Sequence, residues 1–325
     1  MKLSNIKSFK KDTQIQGFFM VREKHRRVTR TERPYLQLVL QDRTGSIEAK
    51  IWEDVPAFEK TFVQGDAVVV KGRVTTFRDK LQLEVEDIGI ATPEKHAAYG
   101  FDPLDLLPAT LKDIDEMWSE ITAQIRGMRN KYLRQLVGRL YRANAAVIKT
   151  HPASMTLHHA IYGGFLEHVH SMAHLAPILA NHYNLDDDLL LAGVLLHDIG
   201  KVRELQPVTQ PGYTNEGQLI GHIVIGYEMV KDTIAEIKGF PDELAMKIEH
   251  MVLAHQGKYE WQSPKRPKFA EALLLHHLDE LDARMHMIQE VLDKDPESGS
   301  WTNRYNYFHL AMLKGPLDGN EPESD

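Results

Sequence analysis

The stretch 189–196 constrains the fold more than any other part of this chain, because its eight consecutive residues are apolar or glycine. A helix that is apolar on every face must be buried, and this one leads directly into His197 and Asp198. Buried ionisable groups are costly unless a partner compensates them. A metal ion would do so, and Lys201 brings a further charge to the same place. The alternative is an ordinary helix end, with Gly200 in the left-handed conformation and Asp198 exposed.

Composition limits the chemistry that could hold such an ion. The 325-residue chain has no cysteine, so disulfides and thiolate ligands are excluded. It has 17 histidines, most of them after residue 150, and any metal site must therefore use His, Asp and Glu. The 42% apolar and 26% charged residues are typical of a globular protein, and the length allows two domains.

Neither a signal peptide nor a membrane-spanning segment is expected. The first residues lead into no apolar region, and no run of about 18 apolar residues occurs. We therefore expect a cytoplasmic protein. The net charge of −7 argues against a wholly basic nucleic-acid-binding protein. The charge is uneven, however, because basic residues cluster at 24–33 and the C-terminal end is acidic.

Alternating apolar residues predict a β-rich N-terminal region. Its expected strands are 14–21, 35–40, 46–52, 66–74 and 81–85. A short helix is expected at 55–62, between the third and fourth strands. Three strands, a helix and two strands is the order of an OB-fold barrel. The segments 42–52 and 65–73 also resemble OB domains of the tRNA-anticodon type.

Barrels of this type commonly bind single strands through a basic groove and aromatic platforms. The basic cluster falls in the expected loop between the first two strands, and its candidate nucleic-acid-binding residues are Lys24, Arg26, Arg27, Arg30 and Arg33. The candidates for stacking on bases are Phe18, Phe19, Tyr35, Trp52 and Phe77. The alternatives are a solvated hairpin for the basic cluster and barrel core for most of the aromatic residues.

The rest of the chain is predicted to be mostly helical. Residues 93–109 carry three prolines and little periodicity, which indicates a linker. Beyond it the apolar spacing is near 3.6, which predicts helices at 111–127, 129–143, 157–182, 186–198, 217–238, 242–255 and 268–292, with Pro177 kinking or ending the third. The aromatic stretch 301–314 is a further candidate helix. We therefore predict a multidomain chain consisting of an all-β OB-fold barrel (1–92), a linker (93–109), an all-α helical bundle (110–314) and a mobile acidic tail (315–325).

Each late helix carries a residue that could bind a metal ion. These residues are His168, His197, Asp198, His222, His255, Asp279 and Asp282. Taken singly, each is more often a polar surface residue or a satisfied core residue. Several of them on successive helices around one buried helix are better evidence, because helix bundles build metal sites from facing helices. His170 and His174 are alternatives, since two histidines four apart can also bind metal, but we expect both of them on the solvent face.

The order of His168, His197-Asp198 and Asp279 resembles the HD superfamily of metal-dependent phosphohydrolases, whose signature stands here as His-Asp-Ile-Gly-Lys. With His222 and His255 the pattern is similar to the two-metal members. An OB domain followed by this HD domain resembles, more narrowly, the YhaM-type 3′→5′ exoribonucleases. Further phrases that look like that family lie at 162–168, 217–222 and 278–283. The resemblance covers nearly the whole chain except the acidic tail.

The resemblance implies a role for each matching position. The residues that would hold two divalent cations, with Asp198 bridging them, are His168, His197, Asp198, His222, His255 and Asp279. Two cations about 4 Å apart can activate a water and stabilise the leaving oxygen of an in-line displacement. Lys201 would act with Asp198 in catalysis by neutralising charge on the scissile phosphate. No protein nucleophile would then be needed.

Some assignments stay open. Imidazole and carboxylate ligands suit Mn, Fe, Co, Ni or Zn better than Mg, and the resemblance favours manganese. Family members often show His-His-Gly where this chain has His255-Gln256-Gly257, which leaves one possible nitrogen ligand there. Asp282 competes with Asp279, one turn away. We expect Asp279 to bind the metal and Asp282 to hydrogen-bond a metal-binding histidine. His158 and His159 could contact phosphate or be structural.

The leading hypothesis is a metal-dependent 3′–5′ exoribonuclease that hydrolyses single-stranded RNA, with single-stranded DNA as a further substrate. The alternatives are an HD phosphohydrolase acting on nucleotides or cyclic dinucleotides, and a non-catalytic nucleic-acid-binding protein. The OB barrel favours the first hypothesis over the second, and the intact set of metal ligands argues against the third. No membrane partner is expected.

Overall fold

The computed structural model describes residues 3–29, 31–77, 80–155, 159–208, 212–295 and 299–316. The chain divides into two compact units, Met1–Ala109 and Thr110–Asp325. Among the described residues, no helix combines the length and the apolar character that crossing a membrane requires. The expected acidic tail lies outside the described residues from 317 onwards.

The first unit is built on a closed five-stranded barrel. Its elements are β1 (Gln14–Val28), β2 (Pro34–Asp42), β3 (Gly45–Ile51), α1 (Val55–Glu59), β4 (Ala67–Phe77) and β5 (Lys80–Ile90). Neighbouring strands follow the order β1-β2-β3-β5-β4. β3 and β5 pair in parallel and the other pairs are antiparallel. The predicted OB-fold barrel is thus confirmed, with its helix between the third and fourth strands.

Alternating side chains fill the barrel. Along β2, Leu36, Leu38 and Leu40 are at most 1% exposed, and they are separated by half-buried residues. Phe19 on β1 is fully buried in the same core. Its proposed stacking on bases was therefore wrong, because no face of this ring is open to a ligand.

Strand β1 continues to Val28 instead of ending at 21. It stays paired with β2 up to Val28 and Pro34, so the connecting loop is only 29–33. The expectation that the basic cluster forms this loop was therefore wrong for most of its residues. Apolar alternation could not reveal the extension, because this end of β1 is mostly exposed and its side chains are polar.

The expected linker, 93–109, packs on the barrel instead of crossing open solvent. It forms α2 (Pro93–His96) and two turns of 3₁₀ helix, Ala97–Tyr99 and Pro103–Leu106. Phe101 and Leu106 are buried beside Phe18 of β1. Two of its prolines occupy the first turn of a short helix, where a missing N–H is harmless.

The second unit is a bundle of helices around one core. Its α-helices among the described residues are α3 (Ile114–Gly127), α4 (Lys131–Ala143), α5 (Ala145–Thr150), α6 (Gly164–Tyr183), α7 (Asp187–Leu196), α8 (Lys201–Glu204), α9 (Asn215–Leu219), α10 (His222–Ala235), α11 (Asp242–Ala254) and α12 (Ala270–Lys294). Every residue of 189–196 in α7 is buried, as its apolar sequence predicts. The predicted helical HD-type bundle is confirmed as a fold.

Several helices differ from the predictions, and the predicted helix 217–238 is divided into α9 and α10. α6 begins at Gly164 instead of 157, directly after Gly163 in the left-handed conformation with φ 76°. Pro177 lies inside α6 and does not end it. The stretch 301–314 forms no helix among its described residues, and an isolated β-bridge joins Trp301 to Leu313 instead.

Gly200 follows α7 in a right-handed conformation, with φ −63°. The left-handed helix end considered as the alternative for this position was therefore wrong. A Cβ atom here would lie 2.0 Å from the carbonyl oxygen of His222 and 2.6 Å from the backbone nitrogen of Gly226. Only glycine allows α10 to pack this closely, and the contact brings His222 to the end of α7.

Candidate metal centre

The end of α7 carries the two residues around which the centre is built. His197 is 0% exposed and Asp198 is 2% exposed. The His197 ring is held by a hydrogen bond from its Nδ1 to the carbonyl oxygen of Val194, at 2.8 Å. A carbonyl oxygen can only accept, so this contact places the proton on Nδ1 and leaves the lone pair on Nε2.

Three further histidines are also held through their Nδ1 atoms. His255 Nδ1 donates to the carbonyl oxygen of Val252 at 2.8 Å. His222 Nδ1 lies 3.0 Å from Glu204 Oε1, and His168 Nδ1 lies 2.8 Å from Asp282 Oδ2. Metal-binding histidines typically use their second nitrogen in this manner, which fixes the ring and raises its basicity. The hydrogen bond expected between Asp282 and a candidate ligand is therefore present.

The Nε2 atoms of these rings converge in two groups. His168 Nε2, His197 Nε2 and a carboxylate oxygen of Asp279 form the first group. A carboxylate oxygen of Asp198, His222 Nε2 and His255 Nε2 form the second. Within each group the atoms lie within 4.8 Å of one another. All six residues expected to bind metal are brought together.

Asp198 lies between the two groups. Its Oδ2 is 3.3 Å from His197 Nε2 and 4.0 Å from His168 Nε2. Its Oδ1 is 3.5 Å from the Nε2 atoms of both His222 and His255. One carboxylate thus presents one oxygen to each group, which is the arrangement needed to bridge two cations.

Unsatisfied polar atoms show that these groups fit a metal. Among the described residues, His197 Nε2, Asp198 Oδ1 and His222 Nε2 are buried without a hydrogen-bond partner. Such an atom costs about 1–3 kcal/mol when it binds nothing. Nitrogen and oxygen donors of this kind suit divalent Mn, Fe, Co, Ni and Zn. A cation in each group would satisfy all three atoms.

Lys201 contacts the bridging carboxylate directly. Its Nζ lies 2.6 Å from Asp198 Oδ2. Burial lowers the pKa of Lys201, but the charge of Asp198 outweighs this and raises the pKa above its ordinary value. Burial likewise raises the pKa of Asp198, while Lys201 and His197 lower it by more. Both groups are therefore charged at neutral pH.

The centre opens into a cavity of about 380 Å³. Asp198, Lys201 and Asp279 line it together with Tyr307 and Arg284. A neighbouring cavity of about 350 Å³ reaches His222 and shares Lys201 with the first. The space beside the charged side chains is large enough for a phosphate and the sugar attached to it.

Gln256 and Glu204 complete the surroundings. Gln256 occupies the position where the resemblance suggested a second histidine, and its amide lies 3.3 Å from His255 Nε2. The sequence pattern assigned no role to Glu204, and in the structure it accepts hydrogen bonds from the backbone and the ring of His222. Its position at the end of α8, the short helix that follows His197-Asp198, is the sequence feature that could have identified it. His159 Nε2 lies 3.4 Å from Asp282 Oδ2, behind the His168 ring, and His158 lies outside the described residues.

Two other predicted candidates on α6 do not join this centre. His170 and His174 hydrogen-bond Glu120 of α3 instead. They were expected on the solvent face, and His174 is half exposed, with 55% of its side chain accessible, whereas His170 is 12% exposed.

The basic residues of the barrel differ in what they contact. Lys24 Nζ donates to backbone carbonyl oxygens of Glu59 and Phe62 at the end of α1, so its hydrogens are used within the barrel. Burial lowers its pKa, against the neighbouring charge of Glu59. Arg26 pairs with Glu59 at 3.1 Å. Arg27 and Arg33 are exposed, and Arg30 lies outside the described residues.

Two family models match parts of this chain. Residues 165–284 match the family model described as the HD domain, and residues 15–91 match the OB-fold nucleic acid binding domain. The second OB-fold domain of replication protein A from Methanococcus maripaludis is 21% identical over 27% of this chain and 94% of that chain, with a TM-score of 0.24.

Curated relatives cover nearly the whole chain. The 3′-5′ exoribonuclease YhaM of Geobacillus sp. (strain WCH70) is 37% identical over 94% of this chain and 92% of its own length. The protein of the same name from Halalkalibacterium halodurans is 35% identical over 94% of this chain and 95% of its own length. The chain belongs to the YhaM family of 3′-5′ exoribonucleases.

Proposed function

We propose that this chain is a metal-dependent 3′–5′ exoribonuclease that hydrolyses the phosphodiester bonds of single-stranded RNA in the cytoplasm. The position of Asp198 between two groups of donor atoms carries the proposal, because a bridged pair of cations is suited to phosphodiester hydrolysis. Membership of the YhaM family supports RNA as the substrate and the 3′ end as the starting point. Single-stranded DNA is a further candidate substrate.

The candidate ligands form two sets, one for each cation. His168, His197 and Asp279 would hold one cation, and His222 and His255 the other, with Asp198 shared. When bound, such ions supply Lewis acidity, which lowers the pKa of water and polarises the phosphate. We favour manganese, with Fe, Co, Ni, Zn and Mg as alternatives. Asp282, Glu204 and two backbone carbonyl groups hold the rings, so the donor atoms are already in place before an ion binds.

Lys201 supplies a positive charge from the chain itself, next to the candidate metal ligands. Its ammonium group lies beside Asp198 and lines the cavity. A phosphate in that cavity would carry negative charge that increases during displacement, and a fixed positive charge stabilises it. Lys201 therefore acts on the phosphate, while no serine or cysteine nucleophile is required.

An aromatic patch on the barrel supports binding of single strands. The rings of Tyr35 and Trp52 lie 4.7 Å apart, and Lys50 Nζ lies 4.8 Å from the ring of Phe77. Trp52 is 44% exposed and Phe77 is 54% exposed. Arg27 of β1 lies directly opposite Tyr35 of β2 in the strand pairing. Exposed aromatic rings with neighbouring cations are the usual means of binding single strands without strong sequence preference.

The proposed function predicts a specific pattern of products. End-labelled single-stranded RNA, an RNA hairpin with a 3′ overhang, and a panel of nucleotides and cyclic dinucleotides are incubated with Mn²⁺. We expect a ladder that shortens from the 3′ end, stops near the hairpin and disappears with a chelator. Hydrolysis of the nucleotides without shortening of the RNA would instead favour the nucleotide phosphohydrolase. RNA binding without any hydrolysis would favour the non-catalytic alternative.

The aromatic patch can be tested separately. We expect Trp52→Ala to weaken binding of a long single-stranded RNA by about tenfold, since stacking contributes about 1–3 kcal/mol per base. Cleavage of a dinucleotide should be unchanged, because it is too short to need the barrel. Tyr99→Ala is the matched control, as Tyr99 is a 71% exposed ring elsewhere in the same unit. Equal RNA affinity of the Trp52 variant and the control, measured by fluorescence anisotropy, would contradict the assignment.

A further inference from the structure

A second group of donor atoms lies on the outer side of α6. His170 and His174 are four residues apart and therefore share one side of the helix. His170 is two residues from His168, which is about 200° around the helix axis, so it faces away from the metal centre. α3 packs against α6 and contributes Glu120 to the same group.

The three donor atoms lie very close together. Glu120 Oε2 is 2.7 Å from His170 Nε2 and 2.9 Å from His174 Nε2. The two Nε2 atoms are 3.1 Å apart. Three ligands on one face of an octahedron, with metal bonds of about 2.1 Å, would be about 3.0 Å apart, and in a tetrahedral site they would be about 3.4 Å apart. The observed spacing therefore fits one face of a metal coordination sphere.

Hydrogen bonds explain this arrangement only in part. If both rings donate to Glu120, their two nitrogens face each other as donors at 3.1 Å. Hydrogen bonds from His170 and His174 lower the pKa of Glu120, so the carboxylate is ionised at neutral pH. A divalent cation would accept a lone pair from each of the three atoms and remove the contact between donors.

We propose that Glu120, His170 and His174 form a separate binding site for a divalent transition-metal ion that joins α3 to α6. Two imidazoles and one carboxylate suit Zn²⁺, Ni²⁺ or Co²⁺, whereas Ca²⁺ and Mg²⁺ prefer oxygen ligands. His174 and Glu120 are 55% and 43% exposed, so an ion reaches the site from solvent. His170, whose side chain is 12% exposed, forms the buried side of the site.

The test counts bound zinc in the full-length protein. The wild-type chain and the variants His174→Ala and Glu120→Gln are dialysed against excess Zn²⁺, and bound metal is measured by mass spectrometry. We expect each variant to hold one equivalent less than the wild type. Glu120→Gln keeps a hydrogen-bond acceptor and removes the charge, so it separates metal binding from hydrogen bonding. His182→Ala is the matched control, since His182 is exposed near the end of the same helix.

Each outcome decides the proposal. Equal zinc content in the wild type and both variants would overturn it and leave a hydrogen-bonded cluster. A loss of zinc in the His182 variant as well would also overturn it, since the site would then not be specific to these side chains. Cleavage of RNA with Mn²⁺ should be unchanged in the His174 variant. Loss of cleavage there, with one equivalent of zinc lost, would overturn the claim that the site is separate from the catalytic centre.

Discussion

Replacement of Asp198 with asparagine will lower kcat for RNA hydrolysis by at least about 1000-fold, because the ions that this residue would bridge contribute several kcal/mol to the transition state. Asparagine has one carbonyl oxygen and no charge, so it cannot serve both groups of imidazoles as the two carboxylate oxygens of Asp198 do. The bound manganese content will fall together with kcat. Both are measured on the same preparation, by steady-state cleavage at saturating RNA and by metal analysis.

The fold should survive this change, since asparagine has the shape of aspartate and α7 is held by apolar packing along its length. A thermal unfolding scan and circular dichroism will show whether it does. Asp232→Asn on α10 is the matched control, because Asp232 is exposed on the same unit. Retained turnover in the Asp198 variant would mean that the catalytic centre lies elsewhere.

Replacement of Lys201 with methionine will lower kcat by about 100- to 1000-fold, which is the usual effect of removing one group that stabilises charge in the transition state. Methionine keeps much of the apolar stem and removes the ammonium group that lies 2.6 Å from Asp198 Oδ2. We expect the metal content to be unchanged. This combination separates Lys201 from the six residues proposed to bind metal, whose loss should reduce metal content and kcat together.

The control for Lys201 is Lys238→Met, at an exposed lysine of the same unit. A Lys201 variant that loses its metal would contradict a role on the phosphate. It would show instead that the ammonium group holds Asp198 in position. An unchanged kcat would remove Lys201 from the mechanism altogether.

The candidate metal-binding residues could be predicted because the resemblance points to them and because the fold brings them together. A helix that is apolar on every face must be surrounded by other helices, and residues 189–196 of α7 are all buried in this way. Polar residues at the ends and inner faces of its neighbours then point at its end, where His197 and Asp198 lie. The barrel could also be predicted from the sequence, since three alternating strands, a short helix and two more strands are compatible with few folds.

Other features depend on contacts that periodicity does not encode. The pairing of β1 with β2 beyond the barrel core involves polar, exposed side chains, and Lys24 was therefore misplaced in a loop. Glu204 holds His222 only because the backbones of α8 and α10 meet. Glu120 joins His170 and His174 from a helix about fifty residues away in sequence. Such pairs are fixed by tertiary packing and carry no local signal.

A relative could keep all six side chains proposed to bind metal and still be inactive if it carried alanine at the position of Gly200. The added methyl group would start 2.0 Å from the carbonyl oxygen of His222, so the start of α10 would have to retreat by at least about 1 Å. A misplacement of that size can cost about 100-fold in rate. The presence of this glycine is therefore as informative as the histidines for deciding which divergent homologues are active enzymes.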